Sequence, residues 1–417
     1  MQSVKGTHDI LPDESWRWRK IESSLHNFMQ RYGYQEIRTP AFEKTELFSR
    51  GIGEETDIVS KEMYSWTDQG GEKLTLKPEL TAPVVRAFIQ HNLGVQSAVN
   101  RLYYMDALFR RERPQKGRTR QFHQFGAEIF GSEHPEADAE IIALSYNFYK
   151  TLGIDNLTVK LNSIGSEYCR INYRNELRAY LKPFLSDLTA TSQNRFKKNP
   201  LRILDTKIEH EKIILKNAPE ISNFLTDYDK SHFEEVKSLL NDLSIPFIID
   251  PQMVRGLDYY TRTTYEITST ALGAQDALCG GGRYDKLVET LGGKPTPAVG
   301  FAAGIERLLL ALESKTTELN DESTQIYIIG LTVDVRSKCQ VFAHDLRNQG
   351  FSVSTDLLRR SLKSQLREAN RNGARIAIII GDEESENDTV QVKNMETGEQ
   401  TTIIINKLVE YLTDLDF

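Results

Sequence analysis

Apolar residues in the first third of the chain alternate between helical and strand-like spacing. Between 15 and 32 they follow one helical face that ends before Gly33: Trp18, Ile21, Leu25, Phe28 and Tyr32. Strands are predicted over 34–38 and 74–78, and a helix over 82–91. Another helix begins near Pro135 and ends at Gly153. The first third of the chain therefore contains both helices and strands.

Beyond residue 168 the spacing of apolar residues changes, and these changes mark the boundaries of further segments. A lysine- and glutamate-rich stretch of helical pattern interrupts glycine-rich, strand-like sequence, and a polar stretch without apolar period precedes alternating strands and helices. We therefore predict five segments: a core (1–168), a helical insertion (169–243), the rest of the core (244–313), a linker (314–324) and a small α/β domain (325–417).

Two predicted strands flank a strongly basic stretch, residues 110–120, here called the basic loop. Side chains two apart on a strand share a face. Phe122, Gln124, Gly126 and Glu128 therefore share one face of the second strand, and the residues between them form an apolar face. A surface loop beside a half-exposed strand would show the same pattern. The alternative is a site for a polyanion and a small zwitterion.

The amino-acid composition narrows the class of protein but says little about the reaction it carries out. At 417 residues the chain predicts two or three domains. No apolar run reaches the roughly 18 residues that a membrane helix needs, and the N-terminal sequence lacks the apolar stretch of a signal peptide. Three distant cysteines without CxxC spacing argue against disulfides and structural zinc, and predict a reducing cytoplasm. The net charge of -7 does not exclude a nucleic-acid partner, because a local basic strip can still attract phosphates.

Several common catalytic motifs are missing from the sequence. There is no GxxxxGK[ST] phosphate loop, no HExxH or other paired metal-ligand spacing and no GxSxG nucleophile elbow. We expect no protein-bound metal site, and an active site that uses charge and hydrogen bonds rather than a covalent nucleophile.

Five stretches, taken in order, resemble the motifs of one enzyme family. GYQEIRTPAFE resembles motif 1 of class II aminoacyl-tRNA synthetases, FRRE with the basic loop and Phe122 resembles motif 2, and GFAAGIERLLLAL resembles motif 3. RGLDYYTRTTYEI and GGGRYDKL look like the two stretches peculiar to histidyl-tRNA synthetases. The resemblance covers essentially the whole chain, with one departure at Leu80, where the family often has glycine.

The resemblance implies a fold and a reaction. The fold would be an α+β catalytic core on an antiparallel β-sheet with a helical insertion, followed by a C-terminal α/β anticodon-binding domain. The reaction would join L-histidine to ATP with Mg²⁺, giving histidyl-adenylate, and then transfer histidine to the 3′ end of tRNA(His). The resemblance further implies a cytoplasmic homodimer with motif 1 at its interface.

The resemblance assigns the nucleotide to basic and aromatic residues. Arg110 and Arg255 would hold the α-phosphate from opposite sides as the catalytic arginines. Glu112 and Phe122 would contact adenine, and Arg307 would pair with the γ-phosphate. Outside its motif, Arg255 would be interpreted as a surface ion pair.

The resemblance assigns histidine to a second group, which shares Arg110 and Arg255 with the first. The α-amino group would meet Glu79, Thr81 and Gln124, with Leu80 contributing backbone, while Glu128 and Tyr260 would meet the two imidazole nitrogens. Strand alternation would turn Tyr259 toward packing, although the resemblance places it close to the site. Residues 280–282 are either a glycine-rich turn or a close approach of backbone to ligand.

Three residues of the basic loop are candidates for the tRNA acceptor end: Gln115, Lys116 and Arg118. The main alternative function is a non-catalytic paralogue, the regulatory subunit of ATP phosphoribosyltransferase. It usually lacks the anticodon domain and the catalytic arginines, whereas Arg110, Arg255 and Arg307 are present here. Another class II synthetase, such as the prolyl or threonyl enzyme, would lack RGLDYY, and the threonyl enzyme would need zinc ligands that are missing here. A plain RNA-binding module would not explain Gln124, Glu128 and Phe122.

Overall fold

A computed structural model describes residues 1–53, 56–115, 117–254, 256–272, 276–313 and 325–415. Three of the positions named above, Lys116, Arg255 and the predicted linker 314–324, lie outside these ranges. The chain divides into two compact units, Met1–Glu318 and Leu319–Phe417. In the described part of the chain, no helix is both long enough and apolar enough to cross a bilayer.

The first unit contains eleven strands among its described residues. They are β1 (Gln35–Glu36), β2 (Phe42–Lys44), β3 (Tyr64–Thr67), β4 (Lys73–Leu76), β5 (Asn100–Phe109), β6 (Gln121–Phe130), β7 (Leu157–Ser163), β8 (Phe247–Ile249), β9 (Thr261–Ser269), β10 (Ala277–Arg283) and β11 (Ala298–Gly304). Eight form one sheet in the order β1-β5-β6-β11-β10-β9-β7-β8, and β2-β4-β3 form a small second sheet. The six central strands of the large sheet are all antiparallel, and only β1 and β8 pair in parallel at its edges. The α+β prediction, with its antiparallel core sheet, is confirmed.

The described residues of the first unit also form α-helices. They are α1 (Pro12–Arg31), α2 (Thr45–Ile52), α3 (Thr81–Gln90), α4 (Leu93–Gln96), α5 (Pro135–Thr151), α6 (Glu167–Leu181), α7 (Ala190–Lys198), α8 (Glu209–Leu215), α9 (Asp227–Asp242), α10 (Leu287–Thr290) and α11 (Ile305–Leu312). Helices α1, α5, α9 and α11 bury their apolar faces on one side of the sheet. That side carries Phe125, Ala127 and Ile129 of β6, as strand alternation predicts.

The predicted helical insertion has two kinds of packing. Helices α6 and α8 share a core of their own that includes Tyr173, Leu177 and Leu215. Helix α9 instead places Val236 and Leu240 in the core beneath the large sheet. The last helix of the stretch therefore anchors it to the core of the large sheet.

The second unit is a small α/β domain, as its alternating pattern predicts. Its elements are β12 (Ile326–Gly330), α12 (Arg336–Asn348), β13 (Val353–Thr355), α13 (Leu362–Arg371), β14 (Ile376–Ile380), α14 (Asp382–Glu386), β15 (Thr389–Asn394), β16 (Gln400–Ile404) and α15 (Leu408–Thr413). The sheet order is β13-β12-β14-β15-β16, with β12 parallel to both neighbours and the last two strands antiparallel. Continuous burial of Ile376–Ile380 fits a central strand covered on both faces.

Candidate active site

The β5–β6 hairpin carries the basic loop at one end and a polar face along β6. The two strands pair from Asn100 opposite Phe130 to Phe109 opposite Gln121. Gly126 leaves room on this face, because a Cβ there would lie 2.3 Å from the Phe301 carbonyl oxygen and 2.5 Å from the Tyr104 hydroxyl. The Tyr104 side chain therefore crosses Gly126 toward Glu128.

Glu128 is buried on this polar face and is held by three hydroxyl groups. Thr81 donates to its carboxylate over 3.0 Å, Tyr104 donates over 2.8 Å, and Tyr284 also donates to it. Burial raises the pKa of Glu128 to about 8, although these three hydrogen bonds favour the charged form. A carboxylate offers about four acceptor positions, so one remains for a ligand N–H.

Glu79 is buried close to Glu128 and has a structural task. Its carboxylate accepts hydrogen bonds from the backbone N–H groups of Thr81 (2.8 Å) and Ala82 (2.9 Å), which caps α3. Burial raises the pKa of Glu79, and these backbone donors and nearby Arg110 oppose that rise. Leu80 is buried in the apolar cluster between the sheet and α3, so its side chain serves packing.

Arg110 begins the basic loop and is fixed at the edge of the site. Its Nε donates to the Pro78 carbonyl oxygen over 2.8 Å, and its guanidinium lies 5.1 Å from the ring centre of Phe122. Burial lowers the pKa of Arg110, and Glu112 and Glu62 oppose that effect, so the group remains charged.

Two adjoining cavities meet at this arginine. The first has a volume of about 370 Å³ and is lined by Glu79, Thr81, Gln124, Glu128, Tyr259, Tyr260 and Tyr284, among others. The second has a volume of about 230 Å³ and is lined by Glu62, Glu112, Phe122, Cys279, Glu306 and Arg307, among others. Both are bounded by Arg110, Arg118, Gln124, Gly280 and Ala302. A ligand with two chemically different halves could place one half in each cavity.

Gln124 lies on the wall between the two cavities. Its Oε1 atom is buried and accepts no hydrogen bond from the described residues. A buried amide oxygen without a donor is costly, so a ligand N–H group would stabilise it. The polar face of β6 thus presents an amide and a carboxylate to the first cavity, as the alternation of the sequence predicts.

The Tyr259–Tyr260 pair departs from the alternation argument. Both tyrosines line the first cavity, and their ring centres lie 4.7 Å apart. Tyr259 also packs against the apolar clusters of α3 and of the insertion helices, as expected for a packing residue. The strand on which the alternation argument rested is absent here, because the pair precedes β9, which begins at Thr261. Tyr260 also packs into the core of the insertion helices.

The glycine-rich stretch 280–282 serves two purposes. Gly280 lines both cavities. A Cβ on Gly281 would lie 2.3 Å from the Gly300 carbonyl oxygen, and one on Gly282 would lie 2.4 Å from that of Thr263. Close packing of strands therefore accounts for two of these glycines.

The basic loop lies closer to the cavities than its sequence suggested. Arg118, predicted at the tRNA acceptor end, borders both cavities, and its guanidinium lies 3.5 Å from the Glu112 carboxylate. Gln115 is exposed and pairs with Arg118 through backbone hydrogen bonds. Arg307 lines the second cavity, where burial and Arg118 lower its pKa.

Sequence reasoning missed several residues of the site. Tyr104, Tyr284 and Glu62 face the cavities or hold Glu128, but none was singled out. Tyr284 stood within the quoted GGGRYDKL stretch, which was a usable signal. Tyr104 and Glu62 had no local signal, because their roles come from cross-strand and loop contacts.

Comparison with known proteins assigns both units of the chain to known families. The family model described as Histidyl-tRNA synthetase matches residues 6–308, and that described as Anticodon binding domain matches residues 325–415. The histidine–tRNA ligase of Synechococcus sp. is 47% identical, with 99% of this chain and 98% of the relative covered. That of Halothermothrix orenii is 48% identical, with 100% and 99% covered.

A solved structure extends the likeness to three dimensions. The apo histidyl-tRNA synthetase of S. aureus superposes with a TM-score of 0.84 at 39% identity, and 99% of each chain is covered. Family-model matches to both units, together with relatives similar over their full length, identify the chain. This protein belongs to the histidyl-tRNA synthetase family of class II aminoacyl-tRNA synthetases.

Proposed function

We propose that the protein is a histidine–tRNA ligase that forms histidyl-adenylate and transfers histidine to tRNA(His). The observation that carries the proposal is the placement of buried Glu128 and of Arg110 on the walls of one cavity. The carboxylate provides recognition of an imidazole, and the arginine provides charge for a phosphate beside it.

The first cavity suits histidine. The remaining acceptor position on Glu128 would take one imidazole N–H, and the Tyr260 hydroxyl would meet the other nitrogen. The unpaired amide oxygen of Gln124 would accept from the α-amino group, beside Glu79 and Thr81. Amino acids without two ring nitrogens would leave these buried groups unpaired, which can give discrimination of about 10⁴–10⁵.

The second cavity suits a nucleotide. Phe122 offers an aromatic face for adenine, Glu112 lies beside it, and Arg307 supplies positive charge for the terminal phosphates. Arg110 borders both cavities and would hold the α-phosphate where the two substrates meet. Arg255, outside the described residues, would complete this grip by the family resemblance.

The chemistry then follows from positioning and charge. A histidine carboxylate oxygen attacks the α-phosphorus, the bond to the β-phosphate oxygen breaks, and pyrophosphate leaves. The arginines stabilise the negative charge that develops on the phosphoryl oxygens. The terminal adenosine hydroxyl of tRNA then attacks the acyl carbon, loses its proton, and displaces AMP.

Mg²⁺ would enter with ATP as part of that substrate. The described residues form no cluster of three or more His, Cys, Asp or Glu side chains able to hold a metal ion. Substrate phosphates with one or two carboxylates commonly hold Mg²⁺, and Glu62 and Glu112 line the second cavity.

The remaining partners follow from the same proposal. The second unit, which matches the anticodon-binding family, would bind the anticodon of tRNA(His), while Gln115, Lys116 and Arg118 would approach its acceptor end. We also propose a homodimer through motif 1 and a cytoplasmic location. The regulatory-subunit alternative fits less well, because the second unit is present and Arg110 and Arg307 line the cavities.

ATP–pyrophosphate exchange with each of the twenty amino acids tests the proposal. We expect exchange that depends on histidine alone. Exchange stimulated by another amino acid, or none with any, would contradict it. Charging of tRNA(His) transcripts tests the second step, with a transcript of altered anticodon as the matched control.

A further inference from the structure

In the segment before α1, Gly6 is buried, Thr7 is partly buried and the other residues are exposed. The Gly6 carbonyl oxygen accepts a hydrogen bond from the Arg120 backbone N–H over 2.7 Å and a longer one from that of Gln121 over 3.4 Å. These donors stand where the basic loop joins β6. The start of the chain therefore docks on the stem of that loop.

Gly6 fits this position because it has no side chain. Its φ is +85°, and a Cβ built on it would lie 2.9 Å from both Arg120 Cγ and Pro114 Cγ. The flanking turn, residues 4–7, is closed by hydrogen bonds from the Thr7 N–H (2.9 Å) and hydroxyl (2.7 Å) to the Val4 carbonyl oxygen. We call residues 4–7 the N-terminal turn.

The basic loop is held on its other side by the helix that follows β11. A Cβ on Gly117 would lie 3.0 Å from Leu310 Cδ1 and 3.7 Å from Arg307 Cγ, both on α11. The stem of the loop is closed by the Arg110 N–H, which donates to the Arg120 carbonyl oxygen over 2.8 Å. The loop thus rests between the N-terminal turn and α11.

We propose that the N-terminal turn positions the basic loop for nucleotide binding, with Gly6 as its positioning residue. Glu112 and Arg118 lie on the loop and line the second cavity. The loop is polar and has few buried side chains of its own, so external contacts must reduce its freedom before the ligand binds. This inference rests on the proposed function, because it takes ATP to be the ligand of that cavity.

Gly6→Ala is the test variant, and Gly71→Ala is its matched control. Gly71 has the same φ of +85°, but a Cβ there meets nothing within 4 Å. Both variants carry the same backbone strain, and only Gly6→Ala disturbs the loop. A second variant that lacks residues 1–7 removes the contact without adding a side chain.

The readouts are the KM values for ATP and histidine in pyrophosphate exchange, and tryptic cleavage at Arg111, Arg118 and Arg120. We expect Gly6→Ala and the truncation to raise KM for ATP by about fivefold or more, a common lower size of coupling between sites. KM for histidine should change much less, and loop cleavage should accelerate although the melting temperature of Gly6→Ala equals that of Gly71→Ala. ATP should slow that cleavage.

Two results would overturn the inference. The first is that Gly6→Ala, the truncation and Gly71→Ala share the same rate of loop cleavage and the same KM for ATP. The contact would then have no such role. An equal rise of both KM values, together with a lower melting temperature, would indicate general destabilisation. Failure of the proposed function is distinguishable, because the unmodified protein would then show no histidine-dependent exchange, whereas the cleavage comparison needs no substrate.

Discussion

Gly300 lies directly opposite Glu128 in the pairing of β11 with β6, and the Glu128 carboxylate occupies the space that a side chain on Gly300 would need. A Cβ on Gly300 would sit 1.6 Å from Oε2 of Glu128. Tyr284 donates to that same oxygen. A glycine on one strand therefore permits the buried carboxylate on the next.

We expect Gly300→Ala to displace the Glu128 carboxylate and break its bond with Tyr284. A displaced carboxylate would also lose its proposed hydrogen bond to the imidazole of bound histidine. A hydrogen bond to a charged group is worth roughly 1.5–3 kcal/mol, so KM for histidine should rise about tenfold or more. KM for ATP should change less. Gly70→Ala is the control, because a Cβ there lies 3.4 Å from its nearest neighbour, an Asp68 oxygen. Equal histidine KM values for the two variants would remove this role of Gly300.

The raised pKa of Glu128 predicts a pH dependence of histidine recognition. With a pKa of about 8, the group carries a proton at neutral pH in the empty site, and only its charged form has all acceptor positions open. We expect kcat/KM for histidine to rise with pH and level off above about 8, measured by pyrophosphate exchange at saturating ATP. A profile that is already flat above about 6.5, where the imidazole of free histidine loses its proton, would argue against this role.

Tyr284→Phe should move that profile in a known direction. The Tyr284 hydroxyl stabilises the charged carboxylate, so its removal should raise the pKa of Glu128 further and shift the rise of kcat/KM to higher pH. Tyr327→Phe is a control in the second unit, remote in sequence from the two cavities and absent from their walls. An unshifted profile for Tyr284→Phe would contradict the assignment.

A buried ion pair predicts a loss of stability. Asp138 and Arg283 have fully buried side chains, and Arg283 also donates to the Ser132 carbonyl oxygen over 2.8 Å. Asp138→Asn would remove the fully buried partner of Arg283 and leave it only the less buried Asp285, 3.1 Å away, so we expect a cost of up to about 3–5 kcal/mol. Urea unfolding would measure the change. Asp155→Asn, on the exposed Lys150–Asp155 pair, is the control and should change little.

The same pair fixes the pH at which this stability is lost. Burial alone would raise the pKa of Asp138, but Arg283 and His232 outweigh it and hold that pKa well below its ordinary value. A depressed folded-state pKa means stability that is present above about pH 4 and lost as the pH falls further. Asp138→Asn should therefore flatten the acid limb of the stability curve. A similar acid limb in both proteins would contradict this.

Arg255→Ala should slow adenylate formation by about 10²–10³, as expected when one preorganised donor to the transition state is lost. Arg371→Ala is a suitable control, because the Arg371 side chain is 75% exposed and pairs with Glu368 in the second unit. Single-turnover formation of histidyl-adenylate is the measurement. An unchanged rate for Arg255→Ala would exclude its catalytic role.

Local patterns determined much of this protein without any structure. The two-residue period of β6 separated Gln124 and Glu128 from Phe125 and Ala127, because successive side chains on a strand point to opposite faces. Apolar residues at helical spacing predicted α1 and α5, because residues at that spacing lie on one face of a helix. The strand predicted over 34–38 is shorter in the structure and covers only Gln35–Glu36. It lies at the edge of the sheet, and only these two residues pair with β5.

Tertiary structure alone decided which distant residues complete the site. Tyr284 reaches Glu128 from 156 positions away, and Gly6 contacts Arg120, which is also far from it in the sequence. Strand register and close backbone packing bring these groups together, and neither leaves a periodic trace in the sequence. Periodicity could thus give each element its buried face, while the contacts between elements gave the carboxylate its partners and the basic loop its position.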